Sequence, residues 1–180
     1  MEDLRPQVFL WRRRINVKKA AIIMGSDSDW KVMKKAASAL KGYGIPFEVH
    51  VYSAHRTPEE AGSFAEKARE NGFGVIIAGA GMSAALAGAL ASKTTLPVIG
   101  VPLSATLQGI DALYTTVMMP PGIPVAAVGI DGAKNAAVLA AEILAVEDES
   151  LAEILRRDKQ AMREAVLAKD AALQAELENL

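Results

Sequence analysis

Three short stretches hold nearly all the side chains whose types and spacing could do chemistry. The first is Gly25-Ser26-Asp27-Ser28-Asp29, where a glycine ends an apolar run and two hydroxyls and two carboxylates crowd the start of a helical pattern. Backbone N–H groups and hydroxyls in such a place can cradle a phosphate, and a carboxylate can hold ribose hydroxyls. The competing explanation is capping, with Ser28 or Asp29 satisfying the orphan amides of the helix. Capping accounts for one of these residues well, not for four in a row. A magnesium site has thin support from two acids in one loop.

The second stretch is Ser53-Ala54-His55-Arg56-Thr57-Pro58. The chain has only two histidines, and one of them stands here. Imidazole exchanges protons near neutral pH. The Arg56 guanidinium can fork two hydrogen bonds to a phosphate or carboxylate. Ser53 can donate or accept. A lone loop histidine is usually structural, but a place beyond a strand end, beside an arginine, leaves the two readings level. The third stretch is Gly79-Ala80-Gly81-Met82-Ser83-Ala84, superficially the dinucleotide fingerprint G-x-G-x-x-A. It follows the third apolar run, not the first, and no acid ends the next one, so that reading is set aside. Gly79 and Gly81 more plausibly let backbone approach a flat ligand closely. His50 alternates with Glu48 and Tyr52 on one strand face, which suits a structural or interface role. Asp111 and Lys134 read as solvated helix residues. No nucleophile elbow, Walker loop or zinc pattern is present.

These stretches need elements to hold them. Continuous apolar runs at 19–25, 74–79, 96–102 and 122–130, with an alternating one at 46–53, read as strands. Between them, helical spacing recurs from Trp30 to Leu40 and over 58–71, 82–93 and 132–146. Pro58 opens the 58–71 helix and Gly72 closes it. Within 103–121, "QGIDALYTTV" looks helical and "MMPPG" turns. Strand–helix alternation implies right-handed parallel crossovers. The fold class is therefore α/β, a three-layer, flavodoxin-like, doubly wound parallel sheet. From 147 to 180 there is no glycine or proline. Leu151, Ile154, Leu155, Met162, Val166, Leu173 and Leu177 form an apolar stripe along a helix of about 30 residues, about 45 Å long. Such an arm outreaches one domain and reads as packing on a neighbouring subunit. The alternative is a helix kinked near Arg156–Asp158 and folded back.

The 180 residues suit one domain, 18–146, with the arm at 147–180 and a flexible extension at 1–17. In that extension Arg12-Arg13-Arg14 is weak support for a phosphate-binding arm, and the order of charge and apolar residues does not suit a signal peptide. A net charge of −1 gives no pull toward nucleic acid or anionic lipid. No apolar run is long enough for a membrane span. With no cysteine, disulfides and thiolate chemistry are absent, which suits a reducing cytoplasm.

Taken together, "IIMGSDSDW", "SAHRTPE", "VIIAGAGMSAALAG", "LPVIGVP" and "MPPGIPVAAVGI" closely resemble the class I N5-carboxyaminoimidazole ribonucleotide mutases of purine synthesis, over about residues 18–146. The resemblance implies a small-molecule ribonucleotide substrate, no metal or other cofactor, and a homo-octamer in which the C-terminal helix reaches a neighbour. It implies that Ser26 and Asp29, with Gly25 and Ser28 beside them, hold the phosphoribosyl part and that Arg56 holds the phosphate. His55 would transfer protons, Ser53 would support its loop, and Gly79, Ala80 and Gly81 would line the heterocycle and carboxylate pocket. The chain departs from the family where "AGGAAHLPGM" is usual: Ala85 and Ala87 replace a histidine and a proline. Class II relatives carboxylate aminoimidazole ribonucleotide directly and tend to carry lysine at the position of Arg56 and "AGRS" in the third segment. Arg56 and "AGAGMS" favour class I. Direct carboxylation, action on another heterocyclic nucleotide, and a non-catalytic nucleotide sensor are the competing readings.

Overall fold

The computed structural model describes residues 17–178. The reading of 1–17, with its arginine run, therefore lies outside the described residues except for Val17. The elements alternate as β1 (Lys19–Met24), α1 (Trp30–Gly42), β2 (Phe47–Val51), α2 (Pro58–Ala68), β3 (Phe73–Gly81) and α3 (Leu86–Ala91). They continue as β4 (Val98–Leu103), α4 (Ile110–Val117), β5 (Ala126–Ala127), α5 (Ala133–Ala145) and α6 (Glu149–Leu177). The five strands are all parallel, in the order β2-β1-β3-β4-β5. That is the flavodoxin-like order.

β4, β3 and β1 beyond Lys19 are apolar throughout because both faces are covered. Ala20, Ile22 and Met24 of β1 pack with Ile77 and Ile99 under α1, α5 and α6. Ala21 and Ile23 pack with Ile76, Ala78 and Val98 under α2 and α3. Alanines at Ala36, Ala37, Ala136, Ala137 and Ala140 are all buried, which lets α1 and α5 lie close together.

Several elements differ from the sequence expectation. The strand expected at 122–130 shrinks to Ala126–Ala127, both exposed at the sheet edge. Pro120, Pro121 and Pro124 just before it remove the donors a longer ladder would need. β3 runs on to Gly81, so Gly79, Ala80 and Gly81 end a strand, paired with Val101, Pro102 and Leu103. α3 begins at Leu86, not at residue 82. Met82 (φ 54°) and Ala84 (φ 26°) take left-handed conformations that cannot continue a helix. Each costs on the order of 1–3 kcal/mol for a residue with a side chain. β2 is half-buried on both faces instead of alternating, and α2 stops at Ala68.

α6 is one unbroken helix of 29 residues, about 43 Å long. It has no break at Arg156–Asp158. Asp148 caps its start by accepting the Leu151 N–H at 2.9 Å. Leu151 and Leu155 are buried in the core, and Tyr43 donates to Asp158 Oδ2 at 2.8 Å. Beyond that point Met162, Val166, Leu173 and Leu177 are exposed.

Candidate active site

In an open parallel sheet the ligand crevice lies beyond the carboxyl ends of the strands, where the strand order reverses. Here that is between β1 and β3. The chain after β1, after β2 and at the end of β3 meets there around a cavity of about 470 Å³. Gly25, Ser26, Ser28, Asp29, Ser53, His55, Arg56, Ala80 and Gly81 all line it. A volume of that size suits a ligand of mononucleotide dimensions.

The loop after β1 is tightly built. Ser26 N–H donates to Asp29 Oδ2 at 3.0 Å, and the Ser26 hydroxyl accepts from Ser28 N–H at 3.3 Å, a complete capping box. The Ser28 hydroxyl donates to Ser26 Oγ at 2.9 Å, and Asp27 Oδ1 accepts the Ser28 N–H at 3.0 Å. Capping thus uses all four polar residues, more than the sequence reading allowed it. The box also fixes the Ser26, Ser28 and Asp29 side chains at the cavity mouth. Burial pushes the Asp29 carboxyl above its ordinary range. The N–H groups of Ser26 and Gly25 and the charge of Arg56 oppose that shift without cancelling it.

The turn after β2 is gathered by one hydroxyl. Ser53 Oγ accepts the N–H groups of His55 at 3.3 Å and Arg56 at 3.2 Å. Thr57 closes the turn from the other side: its hydroxyl accepts Ser53 N–H at 2.8 Å and donates to the Ser53 carbonyl at 3.3 Å. Sequence reading missed this role of Thr57, although the four-residue Ser–Thr spacing before Pro58 was a signal for it. The turn leaves the His55 and Arg56 side chains exposed at the cavity. Arg56 Nη2 donates to the Gly25 carbonyl at 2.8 Å and ties the second loop to the first. A guanidinium has further donors in the same fork for an anion.

Gly79 does not line the cavity. It is buried, and a Cβ built on it would meet Met33 Sδ at 2.5 Å, so the missing side chain makes room for Met33 of α1. Gly81 does form the wall, with its face filled by Ala105: a Cβ there would lie 2.8 Å from Ala105 Cβ. Ala105 and the turn Met82–Leu86 complete the lining. Met82, Ser83 and Ala84 belong to the third stretch read in the sequence, whereas Ala105 carries no chemical signal there. Ala85 lines the cavity, whereas Ala87 is buried behind it.

The remaining polar residues lie elsewhere. His50 stacks on Tyr52 with ring centroids 5.2 Å apart and faces Glu48 Oε2 at 3.4 Å, in a cluster with Phe64. His55 is the imidazole at the cavity. Lys134 is exposed on α5. Asp111 is not a solvated helix residue: its Oδ1 is buried and has no hydrogen-bond partner among the described residues. Among those residues no three His, Asp or Glu side chains come together as a metal site.

This arrangement can bind an anion at Arg56, hold hydroxyls at Ser26 and Asp29, and move a proton at His55 beside a wall of small residues. The family described as AIR carboxylase matches residues 19–165. The chain is 52% identical to the N5-carboxyaminoimidazole ribonucleotide mutase of Escherichia coli K12 over 157 residues, 86% of this chain and 93% of that protein. The protein of the same name from Pyrococcus abyssi is 52% identical over 83% of this chain and 87% of its own length. That from Aquifex aeolicus is 58% identical over 70% and 76%. Among solved structures, Treponema denticola PurE superposes with a TM-score of 0.79 at 32% identity, covering 86% of this chain and 97% of that one.

Proposed function

The chain belongs to the AIR carboxylase family, and from that premise we propose that it converts N5-carboxyaminoimidazole ribonucleotide to 4-carboxy-5-aminoimidazole ribonucleotide. The observation that carries this is the convergence of the GSDSD loop, the SAHRTP turn and Ala80–Gly81, distant in sequence, on one cavity at the strand-order switch.

The residues divide the work. Arg56, oriented by its bond to the Gly25 carbonyl, takes the substrate phosphate. Ser26, Ser28 and Asp29 hold the phosphoribosyl group. The nitrogen–carboxyl bond of the substrate breaks, its electrons return to nitrogen, and His55 supplies the proton that nitrogen needs. Carbon dioxide stays beside the ring against Ala80 and Gly81. The ring carbon attacks it, a carbon–carbon bond forms, and the proton leaving that carbon returns to His55. One imidazole serves as acid and then as base because its protonation is readily reversed near neutral pH. A wall of small residues keeps water out and carbon dioxide in. The reaction is an isomerisation with no net redox or phosphoryl change, so no cofactor is required.

Assembly completes the reading. The exposed apolar side chains of α6, and those of Ile110, Tyr114 and Val117 on α4 with Met118 just beyond it, need cover, and a homo-octamer supplies it. The domain then spans 18–146 and the arm 147–180. A cytoplasmic location fits the cysteine-free sequence. No helix of the described residues is long and apolar enough to cross a membrane. The test compares substrates. In bicarbonate-free buffer the purified chain converts the N-carboxylated ribonucleotide directly. Turnover only of aminoimidazole ribonucleotide with added bicarbonate would point to direct carboxylation instead.

A further inference from the structure

Beyond β4 the chain enters a strap, Ser104–Gly109, whose first five residues are all exposed. Leu107 (φ 42°), Gln108 (φ 55°) and Gly109 (φ 83°) follow one another in the left-handed region, and only the last is a glycine. Such a run persists only where surrounding groups impose it. Core packing does not impose it on exposed residues, so polar ties must.

Polar ties are present. Asp131 Oδ1 accepts the Ser104 N–H at 3.0 Å, and the Gly109 N–H donates to the Thr106 carbonyl at 2.7 Å. The Thr106 hydroxyl donates to Asp111 Oδ2. The far end is wedged: a Cβ on Gly109 would lie 2.7 Å from Ile130 Cγ2 and 3.2 Å from Ser104 Cα. The Thr106–Asp111 tie is unusual. Asp111 stands in the first turn of α4, where an aspartate can cap the helix with both oxygens in water. Here one oxygen is given to Thr106 and the other is buried without a partner among the described residues. A buried unsatisfied oxygen is costly, and its presence calls for a reason.

The inner side of the strap supplies that reason. Ala105 lines the cavity and abuts Gly81, the last residue of β3. Any shift of the strap moves this wall of the pocket. We propose that Thr106 and Asp111 are positioning residues: their hydrogen bond locks the strained strap so that Ala105 closes the pocket over the bound heterocycle. This rests on the mutase reading above. Neither side chain touches substrate; both act through Ala105.

The test is steady-state conversion of N5-carboxyaminoimidazole ribonucleotide by full-length wild type, Thr106→Val, Thr106→Ser, Asp111→Ala and the Thr106→Val/Asp111→Ala double variant. A hydrogen bond to a charged acceptor lost from a binding wall should raise KM about tenfold in Thr106→Val, with kcat within about twofold. Thr106→Ser keeps the hydroxyl and should stay within about twofold of wild type in both. The double variant should be no worse than Asp111→Ala alone, since both changes break one interaction. A bond that merely capped α4 would lower the melting temperature and leave KM alone. Wild-type KM in Thr106→Val, or Thr106→Ser as impaired as Thr106→Val, overturns the clamp while the mutase reading stands. If Asp111→Ala does not fold, the exposed Thr106 pair decides the matter alone. A wild-type protein that does not convert the substrate overturns the mutase reading and the clamp with it.

Discussion

Gly79→Ala separates two explanations for a glycine at the edge of the site. One is close approach of a flat ligand; the other is packing. β3 places Gly79 between Met24 and Val101, facing α1. An added Cβ would lie 2.5 Å from Met33 Sδ and 2.9 Å from its Cε and Cγ. Comfortable non-bonded separations are about 3.5–4.0 Å, so these contacts must open by roughly 0.6–1 Å or more. Met33 is fully buried, and its flexible thioether can absorb only part of that. Overpacking of this kind costs about 1–3 kcal/mol. Replacing glycine returns about 0.4–1 kcal/mol by stiffening the unfolded chain. The net is a loss of up to about 2.6 kcal/mol, centred near 1. Urea denaturation at fixed protomer concentration reads it, because assembly would otherwise shift the midpoint. With a slope of about 1–3 kcal/mol/M, a 1 kcal/mol loss lowers the midpoint by about 0.3–1 M. KM should not change, and the same substitution in a Met33→Ala background should cost nothing. An unchanged midpoint with a raised KM would refute the packing account and return Gly79 to the ligand.

Three further outcomes follow from the same geometry. The folded-state pKa of Asp29 is raised, chiefly by burial, so the stability it contributes is present at low pH and lost as pH climbs past the carboxylate range. Asp29→Asn should therefore raise the melting temperature at neutral pH while cutting turnover by more than about tenfold; scanning calorimetry beside the conversion assay checks both. Burial and the Asp158 acceptor push the Tyr43 hydroxyl from 10.0 up to about 12. Its contribution is complete below pH 10 and lost as pH rises toward 12, and Tyr43→Phe should flatten that decline in denaturation midpoints. Leu173→Glu with Leu177→Glu should reduce the assembled mass in light scattering without altering subunit secondary structure; an unchanged mass would remove α6 from the interface.

The sheet was legible because parallel strands covered on both faces must be apolar throughout, as the runs ending at Met24 and at Gly79–Gly81 are. Pro58 and Gly72 marked the region of α2 for the same kind of physical reason: a fixed φ at the start and a left-handed one beyond the end. Periodicity also found α6, since Leu151 and Leu155 share a stripe with Leu173 and Leu177. It could not say where burial ends along that stripe, which tertiary packing decides. β5 falls short of the 122–130 run because "GIPVAAVGI" is apolar at an exposed edge. α3 starts later than the small-residue pattern suggests because such residues hide left-handed turns: nothing in the types of Met82 and Ala84 announces a positive φ. The charged and hydroxyl side chains of the site stood out by their chemistry. Ala105 and the Thr106–Asp111 bond did not, because the first is a plain alanine and the second depends on how the strap folds.

The most direct measurement is the conversion of N5-carboxyaminoimidazole ribonucleotide by wild type and His55→Asn, with binding of the substrate followed in parallel. Asparagine keeps the size and polarity of the loop residue and cannot carry the proton. Binding should stay within about threefold of wild type while turnover falls by at least about a hundredfold, the scale of a lost general acid–base. Turnover by His55→Asn close to the wild-type rate would contradict the proton-transfer role of His55.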